Sequence, residues 1–116
     1  MLHGKSLHLE PNAPEEAVVA VFKALASQPR WRILRLLSGG GLSVNEIAHS
    51  LQMPSTTVAA QVKTLEQANL LHTELRAASH GLQKICTRTY DNLLVQLPEV
   101  AITNSNFSEV SMPIGA

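Results

Sequence analysis

The feature that most constrains the fold is a pair of short helical patterns separated by a three-residue break. Ser43 precedes Glu46 by three positions, which is the spacing of a capping box at a helix start. The apolar residues that follow recur at i, i+3, i+4 and i+7: Val44, Ile47, Ala48 and Leu51. The sequence therefore predicts a short amphipathic helix with a well-marked beginning.

A second helix is predicted after a break at residues 52–54. Its apolar positions are spaced at i, i+4 and i+7: Val58, Val62 and Leu65. Ser55 or Thr56 is expected to cap its start, and Asn69 is expected at its end. Two helices around so tight a turn have the spacing of a helix-turn-helix, in which the second helix enters the major groove of DNA.

Two more helices are predicted ahead of this pair. Residues 14–16 are a proline followed by two carboxylates, which suit a first helical turn, and this helix is expected to end near Ala26. The next helix is expected over residues 30–38, where the glycines at 39–41 stop it.

A β-hairpin is predicted after the helices. Residues 70–75 and 83–88 have the composition of paired strands, and residues 76–82 are expected to form the loop between them. Residues 90–97 fit either a strand or a short helix, and the strand is our prediction. The expected fold is thus mainly α with a small β wing, an α+β winged helix-turn-helix, over residues 12–97. Residues 98–116 are expected to be a C-terminal extension or the start of a further domain.

Charge is unevenly distributed although the chain of 116 residues is neutral overall. Residues 20–90 carry eight Lys or Arg against three Glu, a net charge of +5, whereas the flanking segments are acidic. A basic middle of this kind favours binding to a polyanion. Residues 1–11 lack the apolar stretch of a signal peptide, and no apolar run approaches the roughly 18 residues of a membrane span. Cys86 is the single cysteine, which excludes an internal disulfide. A cytoplasmic location is expected.

The outward side of the fourth helix and the cations of the wing are the candidate DNA-binding residues. Short hydroxyls and an amide can reach base edges, alanine methyl groups can meet a thymine methyl, and lysine or arginine can neutralise phosphates. The set is Ser55, Thr56, Thr57, Ala59, Ala60, Gln61, Lys63, Arg76, Lys84 and Arg88.

Three segments resemble ArsR-type winged-helix repressors. Residues 24–37 are similar to their A-L-[AS]-x-x-x-R-x-x-I-L-x-x-L opening, residues 42–48 to L-S-V-x-E-[IL]-A, and residues 55–71 to S-x-S-T-V-x-x-H-[LV]-x-x-L-x-x-A-G-L-[IV]. The resemblance implies a bacterial cytoplasmic regulator that binds double-stranded DNA at a palindromic operator as a homodimer, usually as a repressor. The wing and the Tyr90-Asp91 pair also resemble a subgroup of longer regulators with an additional C-terminal domain.

The chain departs from the family pattern in three places. The Cys-x-Cys of the family's metal sensors is absent from the third helix, Ala60-Gln61 replaces a common Arg-His pair, and residues 90–97 look like a strand where many members have a dimerising helix. We therefore expect no metal site and no cofactor, and the guanine contacts of the Arg-His pair are missing.

Two roles for Cys86 are alternatives to that of an inert, packed thiol. His72 and Cys86 would lie opposite each other if the hairpin turned near Ser79, and His80 or His49 would then complete a metal site. Alternatively, Lys84 and Arg88 would favour a reactive thiolate.

Catalysis has little support, because no phosphate-binding glycine motif and no nucleophile–base arrangement is evident. We expect no enzyme. The alternative to DNA binding is a winged helix that docks proteins through Val18, Val19, Phe22 and the apolar tail.

Overall fold

The computed structural model describes residues 4–100, which form four α-helices and five short strands. The helices are α1 (Glu15–Leu25), α2 (Gln28–Leu36), α3 (Val44–Leu51) and α4 (Ser55–Gln67). The strands are β1 (Ser6–Leu9), β2 (Leu42–Ser43), β3 (Leu71–Ala78), β4 (Gly81–Arg88) and β5 (Asn92–Val95). This is the predicted α+β architecture of helices followed by a hairpin. Most of the predicted extension, residues 101–116, lies outside the described residues.

The start of α2 differs from the prediction. The helix begins at Gln28 and not at Arg30, because the Ser27 side chain caps it and accepts from the Arg30 backbone N–H at 3.4 Å. Pro29 lies in the first turn, where its missing N–H forfeits no helical hydrogen bond. The helix also ends earlier, at Leu36, and a 3₁₀ turn (Leu37–Gly39) follows it. Gly40, at a φ of +128°, then takes the chain out of the helix in a conformation that suits glycine.

The capping box of α3 is confirmed. The Ser43 hydroxyl accepts from the Glu46 backbone N–H at 3.1 Å, and the Glu46 carboxylate accepts from the Ser43 N–H at 2.8 Å. The cap of α4 was predicted wrongly. Pro54 is its N-cap residue and no side chain caps the helix, so Ser55 and Thr56 lie inside the first turn with their hydroxyls uncommitted to a cap.

The core lies where α2, α3, α4 and the hairpin meet. Its fully or nearly fully buried side chains are Ile33, Ile47, Val58, Val62, Leu65, Leu71 and Cys86. The predicted apolar stripes of α3 and α4 supply four of these residues, so helical periodicity identified the packed faces correctly.

The wing is a longer hairpin than predicted. β3 and β4 pair antiparallel from Leu71↔Arg88 out to Ala78↔Gly81, and β2 pairs with the other edge of β4. Ser79 and His80 alone connect the strands, because Gly81 adopts a φ of +97° that closes a tight turn. The predicted loop over residues 76–82 is therefore wrong, although its turn near Ser79 is right.

The strand at 92–95 is confirmed, but its partner was not predicted. β5 pairs in parallel with β1, from Ser6↔Asn92 to Leu9↔Val95. We call this pair the ribbon. β1 precedes the predicted domain start at residue 12 and buries Leu9 in the core. Four residues with one buried side chain give too short a pattern for sequence reasoning to find.

Asp91 fastens the ribbon to the wing. Its carboxylate accepts from the Lys5 backbone N–H at 3.0 Å and from the Arg88 guanidinium at 2.8 Å, and its own N–H donates to the Lys5 carbonyl at 2.7 Å. The hydrogen bond from the Lys5 backbone, and then that from Arg88, lower the pKa of Asp91 below its usual range.

The capping box predicts a stability effect. Ser43→Ala removes the side-chain acceptor of the Glu46 N–H at the start of α3. We expect the free energy of unfolding to fall by about 1 kcal/mol, measured by urea denaturation. Ser50→Ala, an exposed change in the same helix, is the control and should shift it by less than about 0.5 kcal/mol. Equal effects of the two substitutions would contradict the role given to the cap.

Asp91 predicts a dependence of stability on pH. A carboxylate whose pKa is lowered by folding stabilises the protein above the unfolded-chain pKa of about 3.9, and that stabilisation is lost as the pH falls through the folded-state pKa. Asp91→Asn should therefore be less stable than the unmodified protein at neutral pH, and the difference should shrink on acidification. Urea denaturation at a series of pH values measures it. A difference that does not change between neutral and strongly acidic pH would show that the Asp91 charge is not responsible.

Candidate nucleic-acid interface

α4 separates a buried face from an open one. Val58, Val62 and Leu65 are 0% exposed, so the rotation of the helix about its axis is fixed by the core. Thr56, Ala60 and Lys63 lie on the opposite side at helical spacing, and all three are exposed. Ser55 and Ala59 are also exposed, whereas Thr57 is half-buried at the edge. The open face consists of small and polar side chains, which let a helix approach another surface closely.

Gln67 extends this face by one more turn. It is exposed and follows Lys63 by four positions, which places both on the same side of α4. Sequence reasoning passed over it because it stands next to the predicted end of the helix. The helical spacing that identified Val58, Val62 and Leu65 would have found it.

Gln61 does not lie on the open face. Its side-chain carbonyl accepts from the Arg30 guanidinium at 2.7 Å, and the same guanidinium donates to the backbone carbonyls of Ala24 at 2.7 Å and Lys23 at 3.0 Å. Arg30 therefore joins the C-terminal end of α1 to α2 and α4. The charge of Arg30 counted toward the basic middle of the chain, but the structure commits it to this internal role.

Glu66 connects α4 to the wing. Its carboxylate accepts from the Thr73 hydroxyl at 2.6 Å, and its other oxygen lies 3.9 Å from the Lys84 ammonium group. The Lys84 pair is partly exposed, so it contributes little energy by itself. Together the two contacts fix the direction of the hairpin relative to the helix, a role that the sequence pattern did not reveal.

The three predicted wing cations are not gathered on one surface. Lys84 and Arg88 share one face of β4, whereas Arg76 pairs with Gln83 on the other face. Arg76 lies 3.3 Å from Glu74 and is exposed. Arg88 is at the base of the hairpin, where it donates to the Leu34 carbonyl at 3.4 Å and to Asp91, and its side chain is 23% exposed.

The wing also exposes two leucines that the prediction did not consider. Leu75 is 66% exposed and Leu82 is 68% exposed. Both lie on the hairpin face that carries Lys84, next to its tip. The outer end of the wing is thus apolar on one side.

The register of the hairpin contradicts the metal-site role considered for Cys86, and the burial of its thiol contradicts the reactive-thiolate role. Cys86 is opposite Thr73, and His72 is opposite Thr87, so the His72–Cys86 pair required for a metal site does not form. Burial raises the pKa of the Cys86 thiol, and the nearby Lys84 charge offsets this only in part. The reactive-thiolate hypothesis is therefore wrong. Within residues 4–100 no cluster of three His, Cys, Asp or Glu side chains could hold a metal ion.

No helix among the described residues is both long and apolar enough to cross a bilayer.

Comparison with known proteins agrees with this geometry. Residues 20–74 match a family described as "Helix-turn-helix domain". The HTH-type transcriptional regulator NmtR of Mycobacterium tuberculosis is 28% identical over 110 residues, which are 90% of this chain and 88% of that protein.

Solved structures show the same fold. The homodimeric winged helix-turn-helix DNA-binding domain of Mb0332 from Mycobacterium bovis, a possible ArsR-family regulator, superposes with a TM-score of 0.58 at 30% identity, over 64% of this chain and 65% of that one. Reduced HlyU from Vibrio cholerae superposes with a TM-score of 0.55 at 25% identity, over 63% of this chain and 73% of that one.

The match of residues 20–74 covers α2, α3, α4 and the start of the wing, which are the elements that form the open face of α4 and fix its orientation. On this agreement of sequence and geometry, the chain has a winged helix-turn-helix fold and is similar to ArsR-family transcriptional regulators.

Proposed function

We propose that this chain regulates transcription by placing α4 in the major groove of a DNA operator, with the wing against the adjoining backbone. The observation that carries the proposal is the open face of α4, whose small and polar side chains stand opposite a fully buried stripe. A helix held in this way across α3 is the arrangement that reads base edges. NmtR is described as an HTH-type transcriptional regulator and the M. bovis domain as DNA-binding, which favours this function over the protein-docking alternative.

The proposed contacts divide into two groups. Thr56 and Ala60, near the N-terminal part of α4, are placed to meet base edges, together with Ser55, Thr57 and Ala59. Lys63 is placed to meet phosphates, as are Arg76 and Lys84 on the wing. Gln61 and Arg88 were part of the predicted set, and their present hydrogen bonds would have to open or be shared for either to contact DNA.

Homodimerisation and repression are further parts of the proposal. The M. bovis domain is described as homodimeric, and a two-fold pair of α4 helices matches a palindromic operator. Repression is supported by the resemblance of residues 24–37 and 42–48 to ArsR-type repressors. We also propose a cytoplasmic location and no catalytic activity, since these accompany a regulator that acts on bacterial DNA.

Phosphate contacts predict a salt effect that Lys63 should alter. The affinity for duplex DNA, measured by fluorescence anisotropy, should fall as salt rises, because each neutralised phosphate releases counterions. Lys63→Ala should weaken binding to all sequences alike and reduce the slope of log affinity against log salt by about 1.

Lys5→Ala is the matched control for Lys63. Lys5 immediately precedes β1, its ammonium group lies 5.5 Å from the centre of the Tyr90 ring, and it is not a residue of α4. The control should leave the salt slope unchanged. An unchanged slope in Lys63→Ala as well would remove Lys63 from the interface.

Thr56 predicts an effect on sequence preference. Thr56→Ala removes a hydroxyl from the open face near the N-terminal end of α4, so it should change the order of affinities among operator variants by about 1–3 kcal/mol at the contacted position. Binding to random DNA should change little. Selection from a random duplex library compares the preferred sites of the two proteins, and identical sites would show that Thr56 does not read bases.

A further inference from the structure

A groove of about 410 Å³ lies between α2 and the ribbon, away from the open face of α4. Its apolar lining includes Leu7, Trp31, Leu34, Leu70, Tyr90 and Leu93. A volume of this size is in the range of small-molecule sites, which are mostly apolar with a few polar groups that orient the ligand.

Trp31 is the most exposed part of this lining. Its side chain is 57% exposed although it stands beside Leu34 on α2, and Leu93 across the groove is 36% exposed. An aromatic ring or branched chain lying between them would bury apolar surface that now faces water. The groove therefore favours a ligand with an apolar body.

The charges around the groove favour an anion. Arg88 and Asp91 form an ion pair at 2.8 Å, and the Arg88 guanidinium also donates to the Leu34 carbonyl. Arg35 also lines the groove, is exposed, and makes no ion pair within residues 4–100. A ligand carboxylate beside Arg35 would complete a charge-assisted hydrogen bond.

We propose that this groove binds a small organic monocarboxylate, with its aromatic or branched aliphatic body against Trp31, Leu34 and Leu93 and its carboxylate on Arg35. The ligand would contact α2, the helix whose Arg30 holds Gln61 of α4 at 2.7 Å. Occupancy of the groove thus acts on the element that positions the open face of α4. This regulatory consequence rests on the proposed DNA-binding function, whereas ligand binding does not.

Trp31 supplies the test, because it is the single tryptophan of the chain. The full chain is titrated, without DNA, with 4-phenylbutyrate and with the neutral 4-phenylbutyramide while tryptophan emission is followed. We expect a saturable change with the carboxylate and about tenfold weaker binding of the amide, the factor that one charge-assisted hydrogen bond supplies. The absence of a saturable change up to about 10 mM would overturn the proposal.

Two arginines of α2 provide matched variants. Arg35→Gln should bind 4-phenylbutyrate about tenfold more weakly and no longer distinguish it from the amide. Arg32→Gln removes an equally exposed charge from the same helix, but Arg32 does not line the groove, so its titration should be unchanged. Equal titrations of the two variants, with helix content intact by circular dichroism, would overturn the carboxylate site.

Two further outcomes separate the competing explanations. Emission that changes on dilution of the protein and not on addition of 4-phenylbutyrate would mean that a second copy of the chain covers the groove, and would overturn the proposal. A normal titration by a protein that fails to bind DNA would contradict the proposed function alone and leave the site standing. If the protein binds both 4-phenylbutyrate and DNA, 4-phenylbutyrate should shift the DNA affinity of the unmodified protein but not that of Arg35→Gln.

Discussion

The arrangement of the helices depends on Arg30. Its guanidinium accepts no hydrogen bond and offers several donors in a planar fork, and here three of them are used on Ala24, Lys23 and Gln61. Two of these acceptors are backbone carbonyls in the last turn of α1, where the helix provides few of its own N–H partners. A lysine could not hold three separately directed acceptors in this way. One side chain of α2 therefore contacts both the C-terminal end of α1 and the flank of α4.

The wing is held by a second, smaller set of contacts. Glu66 reaches Thr73 and Lys84 from α4, and Asp91 joins Arg88 at the base of the hairpin to the start of β1. Arg88 is paired with Asp91 at the base of the hairpin, and the Arg30 guanidinium is committed to Ala24, Lys23 and Gln61, so two of the eight cations counted in residues 20–90 have internal roles. The electrostatic attraction of the protein for DNA would therefore depend on fewer cations than the sequence suggests, with Lys63 prominent among them.

The helices could be predicted from the sequence because each is marked by local chemistry. These markers depend only on neighbouring residues. They are the Ser43–Glu46 capping box, the buried stripe through Val58 and Leu65, and the positive φ of 61° at Asn69. The errors are of two kinds: the start of α2 and the cap of α4 depend on local geometry at Ser27 and Pro54, whereas β1 depends on contacts between distant residues. β1 exists because Asp91 binds Lys5 across 86 positions, and the reach of the wing is set by the pairing of β3 with β4 out to Gly81. The open face of α4 could be predicted because it follows from the helical spacing of the apolar residues. The hydrogen bonds that hold Gln61 and Arg88 away from a DNA-binding role could not, because their partners lie on other elements.

The parallel pairing of β1 with β5 has a mechanical consequence. The ribbon brings the beginning of the folded region alongside its end, so that α1 to β4 form a loop closed by Ser6↔Asn92 to Leu9↔Val95. Because the strands run in the same direction, the N-terminal end of β1 and the C-terminal end of β5 point to opposite ends of the ribbon. Tension applied between these ends acts along the strands, so that it shears all the inter-strand hydrogen bonds together instead of breaking them one after another. A force from a flanking segment would therefore act on the hydrogen bonds of the ribbon before it reached Arg30. While those hydrogen bonds remained intact, the angles between the helices would not change.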